Sequence, residues 1–400
     1  MTDKLPKAHK WQFTQRFRRS AFGWRSDAPI QRIKEAVSEI KRVARSDEVL
    51  AAEGAVKFLE KLSPALENVD SSSGAIGNAV NRAIETLALI IARAQVDTDT
   101  RQEWLERLWQ AIQDDGIPYI ERLSDEWDKL CVTTQTAAMW ADKFIGLVKR
   151  SWSARPGAYF PGTTICLASL YAAGQYDRLL ELLDRAPFKF WPYHSWGVKA
   201  LLAMGKKAEA LDYAQDSAGL SDPFGLIAQT CEDILLSSGL SDEAYRRYAH
   251  EANLGSTNLA TFRAIVKKYP HIAPETILLD LVAASNEPGK WFAAAKDAGL
   301  YDQAIELANA SPTDPRTLTR AARDYAKREP AFALAAGQAA LHWIAQGYGY
   351  EITALDAMDA GRATLHAAEC AGVDAEPIRE RVRWIAARFG YVELPGTHRQ

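Results

Sequence analysis

The chain has 400 residues, of which 48% are hydrophobic and 25% are charged, a composition typical of ordinary globular proteins. This balance excludes a disordered or fibrous chain, and the length allows a large hydrophobic core without disulfide or metal support. The net charge of −3 is unevenly distributed: residues 1–45 carry 12 Lys and Arg against four Asp and Glu, a net +8, so the remainder carries −11. A basic head on an acidic body indicates a contact with an anionic partner.

Two features of the sequence indicate where the protein works. The N-terminus has lysines and aromatic residues but no uninterrupted apolar stretch of the signal-peptide type. The most apolar run, residues 83–94, is interrupted by Glu85 and Arg93 and is far shorter than the ~20 residues that span a bilayer. We therefore expect a cytoplasmic protein that has no membrane partner.

Residues 1–25 are predicted to form a basic aromatic N-terminal segment. Its most unusual part is residues 11–25, WQFTQRFRRSAFGWR, which alternates arginines with aromatic residues and contains no acid. Guanidinium groups pair with phosphates while rings stack on bases, which predicts a contact with nucleic acid or an acidic protein. The alternative, which we prefer, is a strap whose rings pack on the acidic helical body, because so many apolar groups need burial. The candidate binding residues are Trp11, Arg16, Arg18, Arg19, Trp24 and Arg25.

Apolar residues at helical spacing dominate the next part of the chain, and strand patterns are nearly absent. Asp47 is expected to cap a helix that ends near Ser63 and Pro64. The other predicted helices cover residues 29–45, 75–94, 100–114, 118–130 and 134–152. Arg155-Pro156-Gly157 then breaks the pattern, which predicts that an N-terminal helical domain, residues 26–154, ends at this point.

After this break the sequence repeats itself. The segments YAAGQYDRLL, LAMGKKAEAL, LSSGLSDEAY and KDAGLYDQAI superimpose on a glycine, at positions Gly174, Gly205, Gly239 and Gly299. In each, an apolar helix ends at the glycine, which suits the left-handed conformation of a helix end, and a second helix comes after a short polar turn. The spacings are 31, 34 and 60 residues, and the last is twice 30.

A repeat period of about 30 to 34 residues is typical of helix-pair repeats. A degenerate unit is expected around Tyr269 and Pro270, and further turns near Pro330 and Gly372 bring the total to about seven units. The sequence therefore predicts an all-α protein in which residues 158–390 form a tetratricopeptide-like solenoid. Residues 391–400 are expected to be a tail.

A second aromatic cluster covers residues 188–196, FKFWPYHSW, between two of the repeat units. Pro187 and Pro192 predict that no regular helix forms here. Five exposed rings would be costly, so we predict a plug between repeats, and the alternative is a groove for a peptide or ligand. The candidate groove residues are Trp191, Tyr193, His194 and Trp196.

The sequence contains no recognisable motif for catalysis, metal binding or cofactor binding. It lacks a phosphate-binding loop, a zinc-protease helix, a nucleophile elbow and a dinucleotide-binding glycine loop. No histidine lies three or four residues from another, and four single cysteines, expected to be small buried hydrophobes, lack metal-site spacing. We predict a non-enzyme without metal or cofactor. The cysteines are Cys131, Cys166, Cys231 and Cys370.

Several stretches of the chain are similar to an uncharacterised family of bacterial helical proteins, a domain of unknown function. These include FRRSAFGWR, AVSEIKRVAR, KFWPY, KWFAAAKDAGLYDQA and ALHWIAQGYGYEIT. The resemblance extends over nearly the whole chain. It implies a cytoplasmic bacterial protein of helical architecture, and because the family has no assigned activity, it provides no functional residues.

Three functions agree with these observations. We prefer a scaffold or adaptor that binds a protein partner through the groove of the solenoid, because stacked repeats present extended surfaces. The second is a nucleic-acid-associated protein that uses residues 11–25. The third is an enzyme or ligand sensor whose site is assembled across repeats, which a cavity containing buried ionisable groups would favour.

Overall fold

The computed structural model describes residues 9–154, 158–219 and 224–388. Helices are the only regular elements in these ranges, the chain is 73% helical, and the all-α prediction is confirmed. Two compact units divide the chain, unit 1 up to residue 223 and unit 2 from residue 224. The break predicted at residues 155–157 and the tail predicted at residues 391–400 lie outside the described residues.

The described part of unit 1 contains α-helices α1–α11 and one 3₁₀ segment, Glu121–Glu126, which precedes α6. The helices are α1 (Phe13–Arg16), α2 (Asp27–Val43), α3 (Glu48–Leu66), α4 (Ala75–Arg93), α5 (Thr98–Gln113), α6 (Trp127–Cys131), α7 (Thr134–Ser153), α8 (Thr163–Ala172), α9 (Tyr176–Leu183), α10 (Trp191–Ala203) and α11 (Lys207–Asp216).

The described part of unit 2 contains α12–α21 and a 3₁₀ segment, Pro288–Trp291, which precedes α16. The helices are α12 (Phe224–Ser237), α13 (Ser241–Ala252), α14 (Asn258–Lys268), α15 (Pro274–Ala283), α16 (Phe292–Asp297), α17 (Tyr301–Ala310), α18 (Pro315–Tyr325), α19 (Pro330–Ala345), α20 (Ala354–Ala371) and α21 (Glu376–Arg388).

Helix α4 lies in the core of unit 1, where it packs against α2, α3 and α6. Its side chains at Ile84, Leu87 and Ile91 are completely buried. The helix is longer than the apolar run 83–94, and among the described residues it alone is long and apolar enough to cross a membrane by length and composition. In this structure the face of α4 that carries Ile84, Leu87 and Ile91 packs on the neighbouring helices.

The four repeat glycines end helices, as predicted. Each lies two residues after the last residue of a helix, and the φ angles of Gly174, Gly205, Gly239 and Gly299 are between +69° and +77°. At Gly174, the amide of the next residue, Gln175, donates to the carbonyl of Leu170 across 2.9 Å, the bond that defines a Schellman helix end. The same bond is present after Gly205, Gly239 and Gly299, so the repeated sequence encodes a repeated backbone turn.

Two helix boundaries differ from the sequence prediction. Helix α3 continues through Pro64 to Leu66. Pro64 has no backbone amide to donate, but it lies in the last turn of the helix, and the side chains of Ala65 and Leu66 after it are fully buried. The helix predicted over residues 118–130 is a 3₁₀ segment and then α6. Here the carboxylate of Asp115 accepts the backbone amide of Ile120 at 2.8 Å, which holds the preceding residues in a loop.

The cysteine prediction is correct for Cys131, Cys166 and Cys231, which are buried, and wrong for Cys370, which is exposed. Cys370 lies one turn after the exposed His366 on the outer face of α20, with its Sγ 3.9 Å from Nε2 of that histidine. The apolar character of the surrounding helix sequence therefore did not indicate which face the thiol occupies.

Candidate functional site

The N-terminal segment, residues 9–25, is fastened to unit 1 by its rings and its backbone. Phe13 and Phe17 are buried, and both pack edge-on against Phe58 of α3 with ring centroids 5.2 and 4.9 Å apart. The ring of Trp11 fills the space where a β-carbon on Gly54 would lie, so α3 needs a glycine at this point. Rings that are buried in this way cannot stack on nucleic-acid bases.

The polar groups of the N-terminal segment remain at the surface. Arg16 lies 2.7 Å from Glu35 of α2, and Arg19 lies 3.5 Å from Glu67. Arg18 and Arg25 are exposed, and Trp24 is 72% exposed, although its carbonyl accepts the amide of Asp70 at 2.9 Å. The six candidate binding residues are thus a buried Trp11, the paired Arg16 and Arg19, and three exposed residues, Arg18, Trp24 and Arg25.

The four candidate groove residues, Trp191, Tyr193, His194 and Trp196, are buried in α10. The prediction that no helix forms here is wrong, because Pro192 occupies the first turn of α10, where a helix needs no amide donor. Nδ1 of His194 lies 2.7 Å from the hydroxyl of Tyr213, and the ring of Trp196 packs on Tyr171. Most of this cluster therefore contributes to the core of unit 1.

The rest of the cluster opens into a cleft of about 560 Å³ in unit 1. We call it the aromatic–acidic cleft, after the side chains that give it its character: Glu121, Asp125, Tyr159, Phe188, Phe190 and Tyr193. Its walls come from the 3₁₀ segment Glu121–Glu126, the loop before α8 and the loop that leads into α10. Tyr193 is the one predicted groove residue that lines it.

One wall of the aromatic–acidic cleft consists of aromatic rings that solvent reaches. Tyr159 is 68%, Phe188 54% and Phe190 38% exposed. Phe190 meets Tyr193 edge-on with ring centroids 4.9 Å apart, and Phe188 lies 6.2 Å from Phe190 by the same measure. The buried Tyr193 thus anchors a row of rings whose outer members are uncovered.

The other wall carries carboxylates. The hydroxyl of Tyr159 donates to Oε1 of Glu121 at 2.9 Å, which joins the two walls at the rim. Asp125 of this wall and Asp128, which follows it on α6 and does not line the cleft, are only partly exposed, and burial raises the pKa of both carboxyl groups. These carboxylates are therefore partly desolvated and not fully compensated.

Lys199 of α10 interacts electrostatically with both aspartates. Its Nζ lies 3.6 Å from the ring centroid of Trp196, a cation–π contact. Burial lowers the pKa of Lys199, while Asp128 and Asp125 act in the opposite direction. Asp125 of the 3₁₀ segment, Asp128 of α6 and Lys199 of α10 thus form a cluster of ionisable groups, with no direct ion pair to Lys199 among the described contacts.

Two other concave surfaces have their charges paired within the protein. On α1 and α2, Glu35 pairs with both Arg16 and Arg32 at 2.7 Å. Between α18 and α20, the guanidinium of Arg316 binds both carboxylate oxygens of Asp356, at 2.7 and 3.0 Å. Neither surface is lined by exposed aromatic rings, which distinguishes the aromatic–acidic cleft from both.

No protein-family model matches the chain, and none of the curated proteins matches it. The resemblance to a bacterial helical family therefore stays a prediction. Among the described residues, no group of three or more His, Cys, Asp or Glu side chains is arranged to hold a metal ion. The function is therefore inferred from the geometry of the cleft.

Sequence reasoning missed the acidic wall of the cleft. Glu121 and Asp125 precede Phe188 and Phe190 by more than sixty positions, and the sequence pattern places them in a predicted amphipathic helix. No local signal marked them, because a proline followed by acidic residues is typical of the start of a helix. The aromatic wall carried a clearer signal, because five rings within nine residues exceed what one turn of helix can bury.

Proposed function

We propose that the protein is a non-enzymatic scaffold or adaptor that binds a segment of a partner protein in the aromatic–acidic cleft of unit 1. The observation that carries the proposal is the set of three exposed rings, Tyr159, Phe188 and Phe190, around one concave surface. Exposed aromatic area around a concavity marks interaction sites, because a partner that covers it removes apolar surface from water. The partner itself is identified only by this chemistry.

The proposed architecture is a stack of helix pairs from α8 onward, similar to tetratricopeptide repeats. Within each helix pair, the two helices joined by a repeat glycine pack on each other, as α8 does on α9 and α12 does on α13. Helices two apart in sequence also pack, as α18 does on α20. Repeat stacks of this kind commonly serve as protein-binding surfaces, and the cytoplasmic location inferred from the sequence suits such a role.

The test begins with a random peptide library that is displayed on phage and selected on the purified full-length protein. Selected peptides are then measured against the double variant Phe188→Ala/Phe190→Ala and against Tyr350→Ala. Tyr350 is a matched control, because it is an aromatic residue of unit 2 that is 81% exposed. We expect the double variant to lose binding by roughly tenfold or more, the effect of removing an interface hot spot, and the control to bind normally.

Circular dichroism of the double variant serves as the folding control, because Phe188 and Phe190 are too exposed to support the core. Peptides that bind the double variant as tightly as the natural protein would contradict the cleft as binding site. A library that yields no specific peptide would contradict the scaffold function itself.

An enzyme is the second candidate, and one observation favours it. The carboxyl group of Asp125 lines the cleft together with that of Glu121, and burial raises the pKa of Asp125, the direction expected of a general acid. A hydrolase of this kind would act on a glycoside or ester that fits the cleft. Turnover of nitrophenyl glycosides or esters that Asp125→Asn abolishes would favour the enzyme over the scaffold.

A further inference from the structure

We infer that the aromatic–acidic cleft takes a cationic side chain, arginine or lysine, from a basic segment of its partner. The juxtaposition that supports this is a row of accessible rings facing the carboxylates of Glu121 and Asp125. The inference rests on the proposed function, since it names the chemistry of the segment that the scaffold binds. It also specifies what the exposed rings recognise beyond apolar surface.

Carboxylates outnumber the cations beside the acidic wall of the cleft. Arg122 lies 3.6 Å from Glu85, and Lys129 lies 2.5 Å from Glu126. Arg122 also acts on Asp125, as Lys199 does on both aspartates, so the charges of this region are counted together: Glu85, Glu121, Asp125, Glu126 and Asp128 against Arg122, Lys129 and Lys199. Five carboxylates against three cations leave negative charge that an incoming cation neutralises.

Aromatic rings complete the recognition of a cation. The π face of an aromatic ring attracts an ammonium or guanidinium group, and a guanidinium can also stack on it. Phe190 packs edge-on against Tyr193, which leaves ring surface of Phe190 open to the cleft. A guanidinium can lie on such a ring and still reach a carboxylate with its N–H groups, because its five donors point outward in one plane.

The protein already contains one example of this arrangement. Lys199 places its ammonium over Trp196 and near Asp125 and Asp128. The outer part of the cleft offers the same two elements, an aromatic ring and a carboxylate, at Phe190 and Glu121. A nucleic acid or an acidic peptide would bring phosphates or carboxylates against the acidic wall, which like-charge repulsion opposes.

The experiment uses the full-length protein and three fluorescein-labelled peptides of glycine and serine. They are identical except that they carry two arginines, two glutamines or two glutamates. We expect the arginine peptide to bind roughly tenfold more tightly than the glutamine peptide in fluorescence anisotropy, since hydrogen bonds between charged groups contribute about that factor. The glutamate peptide should bind most weakly.

Two variants test the cleft in opposite directions. Asp125→Asn removes a carboxylate and should weaken binding of the arginine peptide, whereas Lys199→Gln removes the competing ammonium and should tighten it. Asp99→Asn is the matched control, because it changes the net charge equally at an exposed position in the first turn of α5. Equal weakening by Asp99→Asn and Asp125→Asn would mean non-specific attraction and would overturn the inference.

Further outcomes separate the inference from the proposed function. If library peptides bind the cleft but show no preference for basic residues and are insensitive to Asp125→Asn, the cationic ligand is wrong and the scaffold stands. If neither library peptides nor the arginine peptide bind, both are wrong. A free polyamine, spermine, is the competitor: if it displaces the peptide at concentrations below the Kd of the peptide, the cation comes from a small molecule and a basic partner segment is ruled out.

Discussion

Tyr269 donates a hydrogen bond of 2.6 Å to the carboxylate of Glu232, and neither residue is exposed to solvent. Glu232 also accepts the side-chain amide of Asn253 at 2.8 Å and the ammonium of Lys268 at 2.5 Å. Its three donors come from the ends of α13 and α14, so one buried carboxylate of α12 ties three helices of unit 2 together. A buried charge is stable only when it is compensated in this way.

We predict that Tyr269→Phe lowers the free energy of unfolding by roughly 1.5 to 3 kcal/mol, the contribution of a hydrogen bond to a charged group. Glu232→Ala should cost more, about 3 to 5 kcal/mol, because it leaves buried donors without their partner. Urea unfolding monitored by circular dichroism provides the measurement. The control is Tyr350→Phe, at an exposed position, and equal effects of the two tyrosine changes would contradict this role of Glu232.

The N-terminal segment makes a second prediction. Phe17→Ala should destabilise the protein by about 3 to 5 kcal/mol because the ring is buried against Phe58. Trp24→Ala should change stability by less than about 0.5 kcal/mol because most of that ring is in solvent. The strap interpretation did not distinguish these two rings, and the structure separates them. Denaturant unfolding of the two variants measures the difference.

The same segment allows a direct test of nucleic-acid binding. We expect the triple change Arg16→Ala, Arg18→Ala and Arg19→Ala to leave thermal stability almost unchanged, because these side chains are exposed. Binding to duplex DNA should be absent near physiological salt in both proteins. Salt-sensitive binding that the triple variant loses, with a slope reduced by about 0.9 for each phosphate contact, would instead support the nucleic-acid function.

A helix-ending glycine and a mid-helix glycine should respond oppositely to alanine. Gly205 has a φ of +77° and open space around it, so Gly205→Ala suffers only the backbone cost, roughly 1 to 2 kcal/mol. Gly146 is exposed inside α7, and Gly146→Ala should stabilise the protein by roughly 0.5 to 1 kcal/mol. Denaturant unfolding of both variants is the measurement. A stabilising Gly205→Ala would show that the turn does not require its left-handed residue.

Asp125 in the cleft and Asp128 on α6 predict that the stability of the protein depends on pH. Burial raises the pKa of Asp125 and Asp128, so stability is lost as the pH rises and these groups ionise in the folded protein. Asp125→Asn and Asp128→Asn should therefore raise the free energy of unfolding at pH 7. Their advantage should disappear at acid pH, below the ordinary carboxyl pKa, where the natural residues are protonated in both states.

The pKa of Asp356 is shifted in the opposite direction, so its effect on the free energy of unfolding should depend on pH in the opposite way. The hydrogen bonds from Arg316 hold the pKa of Asp356 far below its ordinary value, so its contribution to stability is present at neutral pH and is lost as the pH falls. Asp356→Asn should thus destabilise the protein at pH 7, in contrast to Asp125→Asn. If both variants shifted stability in the same direction at pH 7, the electrostatic account of the cleft would be wrong.

Local sequence signals predicted the helices well where one residue type has one structural meaning. A glycine such as Gly174 ends a helix because few other residues adopt its conformation at low cost. Prolines were less informative, since Pro64 and Pro192 lie inside helices near their ends, where the missing donor matters little. Position within the helix, which the sequence does not display directly, determined their effect.

The candidate site was harder to predict because it is assembled from distant segments. The ring of Tyr193 was identified from the sequence, but its functional setting depends on Glu121 and Asp125, which only the packing of unit 1 brings near it. Similarly, nothing in the local pattern separated the buried Trp11 from the exposed Trp24. Gly54 on α3 decides the position of Trp11, and that contact is visible only in three dimensions.

The packing of Phe13 and Phe17 on Phe58 has a consequence for biosynthesis. These two rings leave the ribosome before α3 has been synthesised. Until then Phe13 and Phe17 have no Phe58 to pack against. During this interval these aromatic residues are available to chaperones and to other nascent chains. Unit 1 therefore completes this part of its core only after α3, which follows these rings in the sequence, has been synthesised.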